Sequence, residues 1–156
     1  MSDPASTPVV VGVDEQSAIE IDVDRWSSLA VTAFVDQGVP AGECNLLFVD
    51  ATTIHELNRE HRGKDRPTDV LSFPLDGADA GHADDLIGDI VICPTIAAAN
   101  APEHAGQDHH TGTLDDELAL LVVHGVLHLL GHDHEDDDEA QVMESREQIL
   151  LAAHHR

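Results

Sequence analysis

Residues 118 to 130 read LALLVVHGVLHLL, a run that is apolar on every side except at His124, Gly125 and His128. An all-round apolar helix is a buried helix, so this segment must lie at the centre of whatever the chain folds into. Thr113 and Asp116 form a capping-box-like T-x-x-D just upstream, with acids where a helix N-terminus favours them. The expected helix covers about 114 to 130. Gly131 follows it, the residue type that accepts the left-handed conformation at a helix end.

The rest of the chain alternates short strand-like and helix-like segments around that centre. The first 16 residues, rich in Ser, Pro and Val, read as a loose lead-in with room for a first strand. The main domain is expected over 17 to 156. AIEID (18 to 22) alternates apolar and polar residues and predicts a strand. Asp24 is the expected cap of a helix carrying Trp26, Leu29, Ala30, Ala33 and Phe34 on one face, ended by Gly38. CNLLFV (44 to 49) predicts a buried strand, and Thr52 or Thr53 starts a helix that Gly63 stops. DVLSFPL (69 to 75) and LIGDIVIC (86 to 93) are further strands, separated by the acidic, Gly-rich loop GADAGHADD. Pro94 can open the next helix. The final segment, EDDDEAQVMESREQILLAAHH, predicts a surface-packed helix with Val142, Ile149 and Leu150 at helical spacing. This order implies an α/β fold: a single domain, with one mostly parallel mixed sheet of about four strands packed with about five helices.

His124 and His128 stand four residues apart and so leave one helix face together. Two imidazoles in an apolar environment must stay neutral or find partners, and a divalent metal takes both lone pairs. After the turn at Gly131 the chain can bring His134 back over the helix. The pattern H-x-x-x-H-x-x-G-x-x-H thus offers three nitrogen ligands and leaves a fourth position open, as a catalytic metal site requires. His132 lies between the turn and the third histidine and is a weaker ligand choice. Asp133 either orients an imidazole or caps the turn. With 12 histidines in the chain, pairs elsewhere carry less meaning, and His109-His110 and His154-His155 read as loop and tail residues. The spacing is that of the metzincin peptidases, H-E-x-x-H-x-x-G-x-x-H, except that Gly125 stands where they carry the Glu that acts as general base. Gly cannot take a proton, which disfavours a peptidase.

Positive charge is confined almost as tightly. The chain carries 31 acids against 7 Lys and Arg, a formal net charge of -24. Arg59, Arg62, Lys64 and Arg66 fall within eight positions, and no Lys or Arg occurs from Pro67 to Ser145. The cluster is either a set of cations at a helix C-terminus or a local anion site, where arginine offers paired donors that match a phosphate. So acidic a surface repels bulk nucleic acid and anionic membranes. No apolar run approaches the roughly 20 residues that span a bilayer, and the N-terminus has no secretory pattern. Cys44 and Cys93 sit in apolar runs and read as buried reduced thiols, which suits a cytoplasmic setting.

LNREHRGKDRPTDVLSFPL (57 to 75), IGDIVIC (87 to 93) and HGVLHLLGHDH (124 to 134) together resemble the YbeY family, bacterial endoribonucleases of ribosomal RNA maturation. The comparable region covers roughly residues 40 to 135. The resemblance implies that His124, His128 and His134 bind one Zn2+ per chain, or another divalent transition metal. It implies that Arg62 is the essential catalytic arginine, with Arg59, Lys64 and Arg66 as substrate contacts. His61 and His132 stand where the family often has an aromatic residue.

The implied function is a single-strand-type, metal-dependent endoribonuclease acting in ribosomal RNA maturation and small-subunit quality control. Its partners would be ribosomal RNA, the small ribosomal subunit and assembly factors such as an Era-type GTPase, with no membrane and no DNA. Four clustered cations are few for an RNA-gripping protein, so placement on RNA is expected to come from such a partner. Two other readings stay open. One is a metal-dependent hydrolase of another substrate. The other is a non-catalytic ribosome-assembly factor with a structural metal, which a fourth protein ligand would favour.

Overall fold

The computed structural model describes residues 7–76, 81–82 and 84–155. Most of the expected acidic loop at 77 to 85 therefore lies outside the described residues. Strands β1 (Val9–Asp14), β2 (Glu43–Phe48), β3 (Val70–Pro74) and β4 (Leu86–Ile92) form one sheet in the order β1-β2-β4-β3. β1, β2 and β4 run parallel, and β3 pairs antiparallel with β4, with Ser72 opposite Ile90. Five α-helices accompany the sheet: α1 (Val23–Asp36), α2 (Ala51–Arg62), α3 (Pro94–Asn100), α4 (Leu114–Leu129) and α5 (Asp137–His154), with a 3-10 turn at Ala101–His104 after α3. The expected architecture, a single α/β domain on a mostly parallel four-stranded sheet, is the one observed.

The apolar helix sits where its composition demands. α4 buries Leu118, Ala119, Leu121, Val122, Val123, Val126, Leu127 and Leu129. It lies between the sheet and helices α1 and α5. Trp26, Phe34, Leu46, Phe48, Ile90 and Met143 complete this main core. A smaller core on the other side of the sheet gathers Val49, Ile54, Leu71, Val91 and Cys93 around α2. Thr113 caps α4, its hydroxyl accepting from the Asp116 N–H at 3.2 Å. At Gly125 the helix lies close against the sheet. A Cβ there would come within 2.8 Å of the Ile90 Cγ2, nearer than packed side chains tolerate. The position faces the sheet, so a side chain at 125 would be directed at Ile90.

Several local expectations are corrected. AIEID is not a strand. The first strand lies earlier, at Val9–Asp14, inside the segment read as lead-in. At 18 to 22 the chain is held by the Gln16 side chain, whose Oε1 accepts from Ile19 N–H and whose amide donates to the Ile19 carbonyl. That clasp supplies the partners that a neighbouring strand would have supplied. Asp22, not Asp24, caps α1 by accepting from Arg25 N–H. Asp50, not Thr52 or Thr53, caps α2. α5 buries Met143, Glu147, Leu150 and Leu151, while Val142 and Ile149 face outward, each more than half exposed. Gly63 ends α2 in the left-handed conformation at φ 68°, as expected.

Candidate metal centre

α4 presents His124 and His128 on one face, and the turn at Gly131 (φ 96°) returns the chain toward it. The turn is closed by Gly131 N–H on the His128 carbonyl and by His132 N–H on the Leu127 carbonyl. His134 then stands with its ring centroid 5.7 Å from that of His124 and 5.2 Å from that of His128. The His124 and His128 rings are 4.6 Å apart and close to perpendicular. Each of the three offers one ring nitrogen, and these atoms lie within 4.8 Å of one another. That is a small closing movement from the separation that bonds of about 2.0 to 2.1 Å to a shared ion require.

The environment favours a neutral, ligating His128. Desolvation pushes His128 down to about 4, helped by the charges of His124, His134 and Arg62 and opposed by Asp133. Behind His124, the two carboxylate oxygens of Glu147 straddle Nδ1 at 3.4 Å each. A carboxylate there holds the proton on Nδ1 and leaves the other nitrogen's lone pair for a cation. Glu147 is only 8% exposed. It arrives from α5, 23 positions along the chain, where it reads as one more acid of a charged helix, so no sequence spacing revealed it. Asp133 accepts from the backbone N–H of His134 at 2.7 Å and so caps the turn.

A cavity of about 260 Å³ opens on the histidines, and its lining includes Arg62, Lys64, Arg66, His124, His128 and His134. Three of the four clustered cations therefore share a space with the three imidazoles. Arg59, exposed on α2, does not line it. The basic loop is anchored by buried Asn58, whose side-chain amide donates to the Arg66 carbonyl at 2.9 Å and whose backbone carbonyl accepts from Lys64 N–H. Among the described residues, none of these four cations is in an ion pair. Asp69, which no sequence pattern singles out, is the one carboxylate among the described lining residues. His132 and Asp133 border an adjoining opening with Arg62 and His128.

The donor set fits a divalent transition metal: three imidazoles, no fourth ligand within the group, and a second carboxylate layer. Three imidazoles that could hold a metal, bordering one cavity with cations that are in no ion pair among the described residues, suit a class of protein: a hydrolase domain acting on an anionic ester. The chain belongs to a particular family of that class, the endoribonuclease YbeY family, whose model matches residues 13–155. It is 40% identical over 154 residues to the endoribonuclease YbeY of Salinispora tropica, covering 92% of this chain and 94% of that one. It is 43% identical over 139 residues to that of Carboxydothermus hydrogenoformans, covering 86% and 90%. The fold is similar to the solution structure of TM1509 from Thermotoga maritima, with TM-score 0.57, 28% identity, and coverage of 94% and 90%.

Proposed function

We propose that the protein is a metal-dependent endoribonuclease that cleaves single-stranded segments of ribosomal RNA during maturation and quality control of the small ribosomal subunit. One observation carries the reading: Arg62, Lys64 and Arg66 line the same cavity as His124, His128 and His134. The relatives' names, endoribonuclease YbeY, point to the same chemistry. His124, His128 and His134 hold one metal ion, zinc in our reading, with another divalent transition metal able to replace it. When bound, it acts as a Lewis acid on the scissile phosphate. Arg62 binds the phosphate oxygens and stabilises the charge they gain in the transition state. Lys64 and Arg66 draw the flanking phosphates into the cavity, while Arg59 adds only to the outer field. Glu147 keeps His124 in its ligating tautomer, and Asp133 holds the turn that carries His134. In this reading Asp69, the carboxylate on the lining of the same cavity, would accept a proton during the reaction.

So few cations on so acidic a chain cannot grip RNA unaided. The small subunit and an assembly factor such as an Era-type GTPase supply the placement. A cytoplasmic setting is supported by the two buried thiols, with Cys44 pushed up to about 12 by burial and the nearby Asp89. Among the described residues no helix is long and apolar enough to cross a membrane. The test is metal content together with cleavage of precursor ribosomal RNA on assembled small subunits. The expected result is about one zinc per chain and cleavage that a chelator stops and zinc restores. Cleavage that persists after the metal has been stripped to below a tenth per chain would overturn the reading.

A further inference from the structure

The chain has three Phe, one Trp and no Tyr. Trp26, Phe34 and Phe48 are sealed in the main core. Phe73 alone is half-buried, and it lines the opening of about 500 Å³ that adjoins the metal centre. Arg62 and His128 border both that opening and the cavity of the three histidines, so the two spaces meet there. We propose that Phe73 and His61 form a stacking platform for an unpaired base beside the scissile phosphate. The proposal rests on the endoribonuclease reading and adds to it the residues that make the site demand single-stranded RNA.

Phe73 stands on β3, and part of its side chain packs on the small core around α2. The exposed His61 ring, at the end of α2, lies across it in a T-shaped pair, with centroids 5.1 Å apart and planes at 63°. Two rings so inclined make a corner. A base that stacks on one meets the other at its rim. Phe and His both serve as stacking partners for RNA bases. Such stacking accepts any base, because every base has a π-face. It does require a base that is free of its own neighbours, and a base inside a duplex is already stacked on both sides. The platform therefore discriminates by strand state and not by sequence.

Charge sorts the two spaces. The cavity of the histidines carries Arg62, Lys64 and Arg66 against one carboxylate, Asp69. The opening at Phe73 carries Asp133 and Glu135 against Arg62, its one Lys or Arg among the described residues. A phosphate is drawn to the first space and opposed in the second, so the uncharged part of a nucleotide belongs in the second. His61 and Arg62 are consecutive and line the same opening. A phosphate held by Arg62 thus leaves its base within reach of the neighbouring ring.

The zinc-loaded full chain, labelled with fluorophenylalanine, gives one fluorine signal for each of its three Phe, and Phe73→Leu identifies that of Phe73. The chain is titrated with a 2′-O-methyl tetranucleotide, with the same strand lacking all its bases, and with a long blunt duplex of the same chemistry. The intact strand is expected to shift the Phe73 signal and to leave Phe34 and Phe48 in place. It should bind about 5- to 100-fold more tightly than the baseless strand, and the duplex should not move Phe73. In Phe73→Leu the intact and baseless strands should bind alike, and Phe73→Trp should restore the difference, with zinc content unchanged in both variants. A merely structural Phe73 would weaken both strands equally. A Phe73 signal that stays in place at millimolar strand, or a base-dependent difference that survives in Phe73→Leu, overturns the platform. RNA cleavage is scored separately on assembled subunits. Cleavage with an unmoved Phe73 signal rejects the platform and keeps the nuclease. A base-dependent shift in a chain that cleaves no RNA rejects the nuclease and keeps the platform.

Discussion

His124, His128 and His134 face one another with no hydrogen bond joining them, whereas His104 and His110 both bond to a single oxygen of Glu117. Each cluster has three potential ligands within 4.8 Å of one another. What separates them is where the protons are. In the first, Glu147 occupies the back of His124 and the three rings border an open cavity. In the second, the Gly112 N–H occupies the back of His110 and drives its proton into the gap where a cation would sit. The first cluster is left incomplete by the protein and the second completes itself. Proximity of ligand-type residues is thus a weak criterion for a metal site until each ring's other nitrogen has been accounted for.

The largest way to break the comparison is to delete one member from each cluster. His128→Ala should reduce bound zinc from about one per chain to near none by elemental analysis, with RNA cleavage lost. His110→Ala should leave zinc unchanged and lower folding stability by about 1–3 kcal/mol in a denaturant titration, because Glu117 loses a donor in the core. Zinc lost in the His110 variant, at an unchanged fold, would make the second cluster a metal site after all.

Arg62 comes next. It lines the same cavity as the incomplete cluster and, among the described residues, is in no ion pair, so Arg62→Ala should cut single-turnover cleavage about 10²- to 10³-fold at constant zinc content and melting temperature. Arg62→Lys should recover only part, since a point charge lacks the paired donors. Wild-type rates in the Ala variant would reduce Arg62 to a helix-end cation. A smaller effect is expected from Glu147→Gln, which keeps the shape behind His124 and removes the charge. Zinc affinity should fall about 10- to 100-fold, measurable by competition with a chromophoric chelator, and Glu147→Asp should restore part of it. Unaltered affinity would mean that Glu147 only fills space.

The incomplete cluster was legible in the sequence and the self-completing one was not, for a physical reason. His124, His128 and His134 lie within eleven positions, joined by helical geometry and one glycine turn, so local spacing alone brings them together. Glu117 meets His104 and His110 only because the 3-10 turn after α3 folds onto the start of α4, and Glu147 meets His124 only through the packing of α5. Those are tertiary contacts of acids on helices already rich in acids, so nothing local distinguishes Glu147 from Glu144. The same limit explains the errors in the fold. Strands β2, β3 and β4 carry their own apolar signal. Yet the alternation at 18 to 22 was read as a strand although Gln16 satisfies Ile19. Of Val142, Ile149 and Leu150, which share helical spacing on α5, only Leu150 is buried, and burial of a glutamate beside it is not a pattern that apolar spacing records. His155, read as a tail residue, is bonded to Asp116 at 2.7 Å and packs on Trp26.

The smallest predicted effect tests the proton argument directly, in the metal-free chain. His128 is held down to about 4 in the folded protein, first by desolvation and then by its histidine neighbours and Arg62, while an unfolded histidine titrates near 6.5. Between those values the unfolded chain binds a proton that the folded chain refuses. Stability therefore rises with pH across that window. The favourable contribution is fully present above about 6.5, falls as pH drops toward 4, and changes no further below it. The ring is only half buried, so screening reduces the effect to about 1 kcal/mol. Denaturant titrations of the zinc-free wild type at pH 7 and pH 5 should differ by that much more than those of His128→Gln, whose side chain does not titrate. Zinc should widen the wild-type difference, because acid then competes with the metal for the same lone pair. If the wild type and His128→Gln lose the same stability on acidification, His128 is not kept neutral by its surroundings. The contrast between the two clusters would then rest on ring positions alone.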